Sequence, residues 1–296
     1  MGHGFASFHP LVNALWFGLV LALTMLLTHP AVQLISLASA LVCAGQVWGK
    51  NSLRRTALCL VPAMAMAALL NPLFSHQGAT ILTYLPGGNP LTLESILYGL
   101  SAGVSLGAVL LWFRYFAGVM TTEKLICLSG KAIPALSLVL SMALRFLPRF
   151  RLQLRAVVQA QRGLGRDISQ GSIPQRVRQG TAILSILITW ALEDAIETAD
   201  SMRGRGYGLP GRTAYSPFLL DGRDRLALAW LGFCGFFLLS GALAGGLRWR
   251  YYPTPAGAPL TPMTGLMLLC QLALCLTPAA IHWKEARLWR RSRSVT

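Results

Sequence analysis

Two short arginine–glycine groups are the parts of this sequence whose residue types could do chemistry: Arg162 and Gly163, then Arg203, Gly204, Arg205 and Gly206. A guanidinium is permanently charged, and its planar fork of N–H donors can pair with a carboxylate through two hydrogen bonds. At the end of a rigid helix, such a fork would reach carboxylates of a partner protein. Alternatively, the arginine only complements the dipole of the helix C-terminus and the glycine only caps the helix.

The helices that must position these groups follow from the spacing of apolar residues. A first helix is predicted to open at Pro148, where a missing N–H costs nothing, and to end at Gly163. One apolar stripe runs along this segment: Phe146, Phe150, Leu154, Val157 and Val158. A second helix is predicted from about Pro174 to about Arg203, roughly 45 Å long. Because both helices are expected to end in arginine and glycine, the recurrence favours the partner-binding interpretation.

The composition indicates a polytopic membrane protein. The chain has 296 residues, of which 54% are hydrophobic and 12% are charged, about half the charged share of a soluble domain. This apolar content excludes a disordered chain, and the sparse cysteines exclude a disulfide-stapled small protein. A helix needs about 20 mainly apolar residues to cross a bilayer. Six segments meet this requirement: 11–28, 31–48, 56–74, 95–113, 226–247 and 263–281.

Charge placement predicts the topology and the division of the chain. No lysine, arginine, aspartate or glutamate occurs in residues 1–49, whereas the stretch from Arg145 to Arg212 holds 11 arginines. Basic loops stay in the cytoplasm, so we expect an all-α protein with four spans, a long cytoplasmic insert, two more spans and both termini inside. The expected regions are 1–116 (four spans), 117–222 (long cytoplasmic or interfacial helices with both arginine–glycine groups) and 223–296 (two spans and a basic tail).

The fourth span carries glycines at intervals of four residues: Gly99, Gly103 and Gly107. Glycines at this spacing form a smooth helix face that another helix can approach closely. The face could serve packing within the chain, or it could be the docking surface of a separate membrane subunit. The sequence leaves both interpretations open.

Enzymatic and cofactor functions find little support in the sequence. The six cysteines form no C-x-x-C pair and the five histidines are scattered, so we expect no metal and no cofactor. The stretch 45–52 has three residues rather than four between its glycines and follows no strand, which argues against a phosphate-binding loop. The alternatives are a membrane channel and another membrane scaffold with a basic interaction insert. Nucleic-acid binding is not expected, because the basic insert lacks an aromatic stacking pattern.

The insert resembles the transmembrane T component of energy-coupling factor (ECF) transporters, a family that includes the Q-type subunits of cobalt transporters. That family carries two Ala-Arg-Gly motifs at the ends of coupling helices, the second within a phrase like M-x-A-R-G-Y-G. Residues 202–208 read M-R-G-R-G-Y-G, with Gly204 in place of alanine, and residues 160–163 read A-Q-R-G. In another register, Leu164 and Gly165 occupy the first Arg-Gly position and the arginine is lost. The resemblance extends to residues 121–125 (T-T-E-K-L) and 145–148 (R-F-L-P).

This resemblance implies a subunit of an importer in a prokaryotic cell membrane that performs no bond chemistry itself. Two ATP-binding-cassette ATPases would engage Arg162 and Arg205, with Arg203 as an auxiliary contact, while Gly163, Gly204 and Gly206 permit the helix ends. A small membrane protein, the S component, would deliver a vitamin or a transition-metal ion. The glycines of the fourth span are our hypothesis for part of the S-component surface.

Overall fold

The computed structural model describes residues 4–84, 90–132, 134–167, 169–210, 218–257, 259 and 261–293. Helices dominate these residues, together with two short hairpins. After a 3₁₀ turn at Gly4–Ser7, the helices are α1 Pro10–Leu26, α2 Pro30–Phe74, α3 Leu93–Val119, α4 Thr122–Ala132, α5 Pro134–Gly163, α6 Ile173–Gly204, α7 Gly222–Leu243 and α8 Pro262–Arg293. The antiparallel hairpins pair β1 Ile81–Tyr84 with β2 Pro90–Thr92 and β3 Trp249–Arg250 with β4 Ala256–Gly257.

The chain forms two compact units. We call the first the membrane unit (Met1–Leu125 and Phe218–Thr296) and the second the insert unit (Ile126–Pro217). The boundary between them falls within α4. The basic middle of the sequence thus forms a unit of its own.

Helices long and apolar enough to cross a bilayer lie in the membrane unit. In the described residues they are Pro30–Gly49, Arg54–Phe74, Leu93–Val119, Gly222–Leu243 and Pro262–Leu288. The first predicted span corresponds to α1, an apolar helix of 17 residues. Helix α2 contains two of the five because Gly49 interrupts it with a φ of 73°, a conformation that favours glycine. The predicted class, an all-α polytopic membrane protein, is confirmed.

The core of the membrane unit is built on aromatic rings. Trp16 of α1 and Trp112 of α3 are fully buried and pack edge to face, with ring centroids 5.3 Å apart. Their indole N–H groups are both satisfied, since Trp16 donates to the Leu274 carbonyl at 3.0 Å and Trp112 to the Ser36 hydroxyl at 2.9 Å. These contacts tie α1, α2, α3 and α8 together.

The insert unit is a pair of long helices with a small core. Val157 of α5 packs against Ile183 and Leu187 of α6, with Phe150 and Val158 at the edge of this cluster. Nearby, the rings of Phe146 and Trp190 stack with centroids 5.4 Å apart, and Arg149 pairs with Asp194 at 3.2 Å. These described contacts between α5 and α6 involve residues 146–158 of α5 and 183–194 of α6.

The predicted start of the first insert helix is wrong. Helix α5 begins at Pro134, and Pro148 lies inside it. A proline within a helix removes one backbone hydrogen bond, but the helix continues when its other contacts compensate. The second helix agrees with its prediction and spans Ile173–Gly204, with Ser172 and Gln175 forming a capping box at its start.

Candidate functional site

The C-terminus of α5 is closed by two specific backbone hydrogen bonds. The Gly165 N–H donates to the Arg162 carbonyl and the Arg166 N–H donates to the Gln161 carbonyl, both at 2.9 Å. Gly165 has a φ of 74°, so a left-handed glycine closes the helix. This combination is a Schellman motif, which turns the chain away sharply after the last helical turn.

The C-terminus of α6 has the same construction. The Gly206 N–H donates to the Arg203 carbonyl and the Tyr207 N–H donates to the Met202 carbonyl, both at 3.0 Å. Gly206 has a φ of 80° and is the left-handed residue. The two helices thus end in equivalent Schellman motifs.

This equivalence defines the correspondence between the two motifs. Gly165 matches Gly206, so Arg162 matches Arg203 and Leu164 matches Arg205; both ends then read R-G-x-G. The sequence-based assignment instead matched Arg162 with Arg205. In the alignment that the backbone bonds define, the motif at the end of α5 has leucine at the position of Arg205. In both motifs, the shared arginine lies three residues before the left-handed glycine.

The shared arginines are exposed, but their ion pairs differ. The Arg162 side chain is 56% exposed, and its Nε donates to the Asp167 carboxylate at 3.3 Å. The Arg203 side chain is 81% exposed and lies 3.9 Å from Asp200, one turn earlier on the same helix. Exposed pairs of this kind are weak, so both guanidinium groups can exchange their present partners for carboxylates on another protein.

Asp167 is held as a carboxylate by its own loop. The Ser169 backbone N–H donates to it at 3.0 Å, and this bond, the Ser169 hydroxyl and the Arg162 guanidinium lower the pKa of Asp167 below its usual range. The aspartate therefore stays charged and orients Arg162.

Apolar side chains surround the charged groups at both helix ends. Leu164 at the first end is exposed, as are Tyr207 and Leu209 at the second. A charged fork beside exposed apolar side chains is the composition expected of a protein-binding surface. Among the described residues, no group of three or more His, Cys, Asp or Glu side chains is placed to hold a metal ion.

The glycine face of α3 packs against the chain itself. A Cβ added at Gly103 would lie 2.7 Å from the Met64 carbonyl oxygen, and one at Gly99 would overlap the Ala68 carbonyl oxygen. Gly107 meets the sulfur of Met64 in the same way. Close packing within the chain, one of the two interpretations left open, therefore explains these glycines. Docking of a separate subunit on them stays a hypothesis.

Comparison with known proteins gives consistent matches. No family model matches the chain. It is 35% identical over 112 residues to the energy-coupling factor transporter transmembrane protein EcfT of Lactobacillus helveticus, covering 38% of this chain and 39% of the relative. It is 37% identical over 114 residues to EcfT of Streptococcus thermophilus, covering 36% and 43%. A longer match, to EcfT of Heliobacterium modesticaldum, is 27% identical over 176 residues and covers 52% and 66%.

The chain thus spans about two fifths of the length of the first two relatives. All three relatives carry the same name, and their family is the one that the arginine–glycine motifs indicated. Together with the apolar helices, these matches show that the chain is a membrane protein and a homologue of the transmembrane T components of energy-coupling factor transporters.

Proposed function

We propose that this protein is the transmembrane coupling subunit of an ECF-type importer. The observation that carries this proposal is the pair of equivalent helix ends, each with an exposed arginine three residues before a left-handed glycine. In the proposed complex, Arg162 and Arg203 insert into acidic grooves on two ABC-type ATPases. Arg205, one of the two main contacts in the sequence-based assignment, becomes an additional contact at the α6 end.

The lengths of α5 and α6 suit a mechanical role. They contain 30 and 32 residues, so each is about 45–48 Å long at 1.5 Å per residue. An intact helix transmits displacement along its axis with little bending. ATP-driven closure of the ATPases would move the two helix ends, and the helices would pass this motion to an S component in the bilayer. ATP hydrolysis is assigned to the ATPases, and this chain performs none.

The cargo and orientation follow from the same proposal. The S component would release a vitamin or a transition-metal ion into the cytoplasm of a prokaryotic cell. By the positive-inside rule we assign the insert and both termini to the cytoplasmic side of the plasma membrane, because the insert is rich in arginine and Arg290, Arg291 and Arg293 follow the last span. Substrate selection is assigned to the S component.

Charge reversal at the helix ends tests the ATPase contacts. The variant carrying Arg162→Glu and Arg203→Glu should lose co-purification of the ATPases, because each substitution replaces attraction to acidic groups by repulsion. The matched control carries Arg151→Glu and Arg155→Glu, which reverse two exposed charges elsewhere on α5. The control should retain the ATPases.

Arg205→Glu alone separates the two registers. If the shared R-G-x-G register governs binding, this variant weakens ATPase binding less than Arg203→Glu does. Normal transport by the doubly reversed variant, at wild-type expression in the membrane, would show that the helix ends are not the ATPase contacts.

A further inference from the structure

Lys124 is a buried cation at the start of α4. Its side chain is 4% exposed, and its ammonium donates to the carbonyls of Val119, at 3.2 Å, and Ala6. The Asn13 amide, oriented by its hydrogen-bond partners, accepts a third bond from Lys124 at 3.0 Å and donates to the Phe5 carbonyl at 3.1 Å. All three ammonium protons therefore have neutral oxygen acceptors. Two of those acceptors lie in the first 13 residues.

Asp224 is a buried anion in the first turn of α7. It is 5% exposed, and its Oδ1 accepts the His9 backbone N–H at 3.0 Å. Its Oδ2 accepts the Asp221 N–H at 3.1 Å, which completes a capping box at the start of the helix. The carboxylate thus joins the beginning of α7 to the N-terminal segment.

These two residues lie at the two ends of the insert. Lys124 lies two residues before the first residue of the insert unit, and Asp224 lies seven residues after its last. Both bind residues 5–13, which we call the N-terminal clasp. The clasp is fixed in turn to the core, because the Phe5 ring is buried and lies 5.3 Å from the Trp16 ring.

The chemistry of the clasp fits a holding role better than simple packing. A buried charge is costly unless it is fully hydrogen-bonded, and apolar residues would fill the same space without that cost. Here the Lys124 ammonium donates hydrogen bonds to oxygens of Ala6 and Asn13 in the clasp, and the Asp224 carboxylate accepts one from the His9 N–H. Hydrogen bonds to charged groups are stronger and more directional than neutral ones, so they fix geometry as well as contact.

We propose that the N-terminal clasp holds the first turns of α4 and α7 in one fixed arrangement, with Lys124 and Asp224 as its positioning residues. Displacement of the insert then reaches the membrane unit through both ends of the insert together. The holding role stands on the contacts above, whereas the transmission of displacement rests on the function proposed for the chain.

Hydrogen exchange of the full chain in nanodiscs tests the holding role. Lys124→Met removes the cation, and His9→Pro removes the N–H that Asp224 accepts; His9 has φ −53° and ψ 139°, which proline adopts without strain. Each variant should speed exchange in residues 5–13 at least tenfold. Each should also speed exchange at the opposite end of the insert, residues 221–226 for Lys124→Met and residues 122–126 for His9→Pro.

Two control variants change a residue at each end while leaving the hydrogen bonds of Lys124 and Asp224 in place. Glu123→Gln changes an exposed neighbour of Lys124, and His9→Asn keeps both the backbone N–H and a side chain able to cap α1. Both should exchange like the unsubstituted chain. If the faster exchange stays confined to the substituted end, the two ends are independent and the clasp is refuted.

A second measurement tests transmission in the assembled complex. With the ATPases still bound, Lys124→Met should lower substrate transported per ATP hydrolysed at least tenfold, whereas Glu123→Gln should not change it. An unchanged ratio would overturn the transmission role and leave a structural clasp. If the unsubstituted chain binds no ATPases, the proposed function fails, and the exchange experiment alone decides the clasp.

Discussion

The membrane unit and the insert unit are stabilised in opposite ways. The membrane unit buries a continuous cluster that includes Trp16, Trp112 and Leu238. Among its described residues, the insert unit buries Val157, Ile183 and Leu187 and leaves most other apolar side chains of α5 and α6 exposed. The first unit therefore has a continuous apolar core, whereas the second has a small one.

The distribution of charge shows the same contrast. Buried charged residues among the described ones are Glu94, Lys124 and Asp224, and all three lie in the membrane unit. Arg149, Arg162 and Arg203 of the insert pair with acidic groups but stay largely exposed. Charge therefore fixes internal geometry in one unit and remains available for binding in the other.

The largest expected effect comes from the aromatic core. Trp112→Ala should lower the free energy of unfolding by about 3–5 kcal/mol, because it leaves a large cavity and removes the hydrogen bond from the indole N–H to the Ser36 hydroxyl. Ile183→Ala in the insert should cost about 2 kcal/mol, since its cluster is small and can relax. Denaturant unfolding of the full chain in micelles, with separate probes in each unit, measures both.

Phe236→Ala provides a matched control for the core, because this aromatic side chain of α7 is 77% exposed. Its effect should stay below about 1 kcal/mol. Equal losses for Trp112→Ala and Ile183→Ala would contradict the contrast between the units.

Five of the six predicted spans correspond to helices long and apolar enough to cross a bilayer, because length and hydropathy are readable from the sequence; the first corresponds to the shorter helix α1. The start of α5 could not be predicted, because a proline is compatible with both a helix start and a helix interior. Contacts between residues far apart in sequence, such as Phe146 and Trp190, decide whether the proline starts the helix or lies inside it. The sequence likewise could not show whether Gly103 packs within the chain or against another subunit. That depends on the helix lying against it, which is α2.

At the helix ends, the residue types were predictable and the register was not. The R-G-x-G repeat is visible in the sequence, but only the backbone bonds to Arg162 and Arg203 show that these arginines are equivalent. Lys124 and Asp224 were missed for a different reason. An isolated charge near the end of an apolar helix usually marks the membrane surface, and nothing local indicates that its partner is the N-terminal segment.

The glycines of the helix ends give the next prediction. Because the core of the insert is small, the stability of its helix ends depends on local backbone conformation. Gly165→Ala and Gly206→Ala should each destabilise the last helical turn by about 1–2 kcal/mol, because both positions have a positive φ. Gly163→Ala and Gly204→Ala should be neutral or slightly stabilising, since each lies in the helix with open space around its Cβ position. Amide exchange of residues 160–166 and 201–207 measures the difference.

The reverse order would be informative. If Gly163→Ala and Gly204→Ala loosen the ends more than Gly165→Ala and Gly206→Ala do, the Schellman register is wrong and the sequence-based assignment of Gly163 is preferable.

The smallest effect is expected from acidification of the α5 end. The lowered pKa of Asp167 means that its contribution is fully present above its ordinary pKa and is lost as the pH falls through the lowered value. The loop should therefore stay ordered from pH 7 to about 4 and loosen only below that, as Arg162 and Ser169 lose their carboxylate partner. A spin label at Gln170→Cys, with the exposed or partly exposed Cys59, Cys127 and Cys270 replaced by serine, reports the mobility of this loop. In the Asp167→Asn variant the loop should be mobile at every pH. If its mobility still increases on acidification, another titrating group holds the loop, and Arg162 is oriented by something other than Asp167.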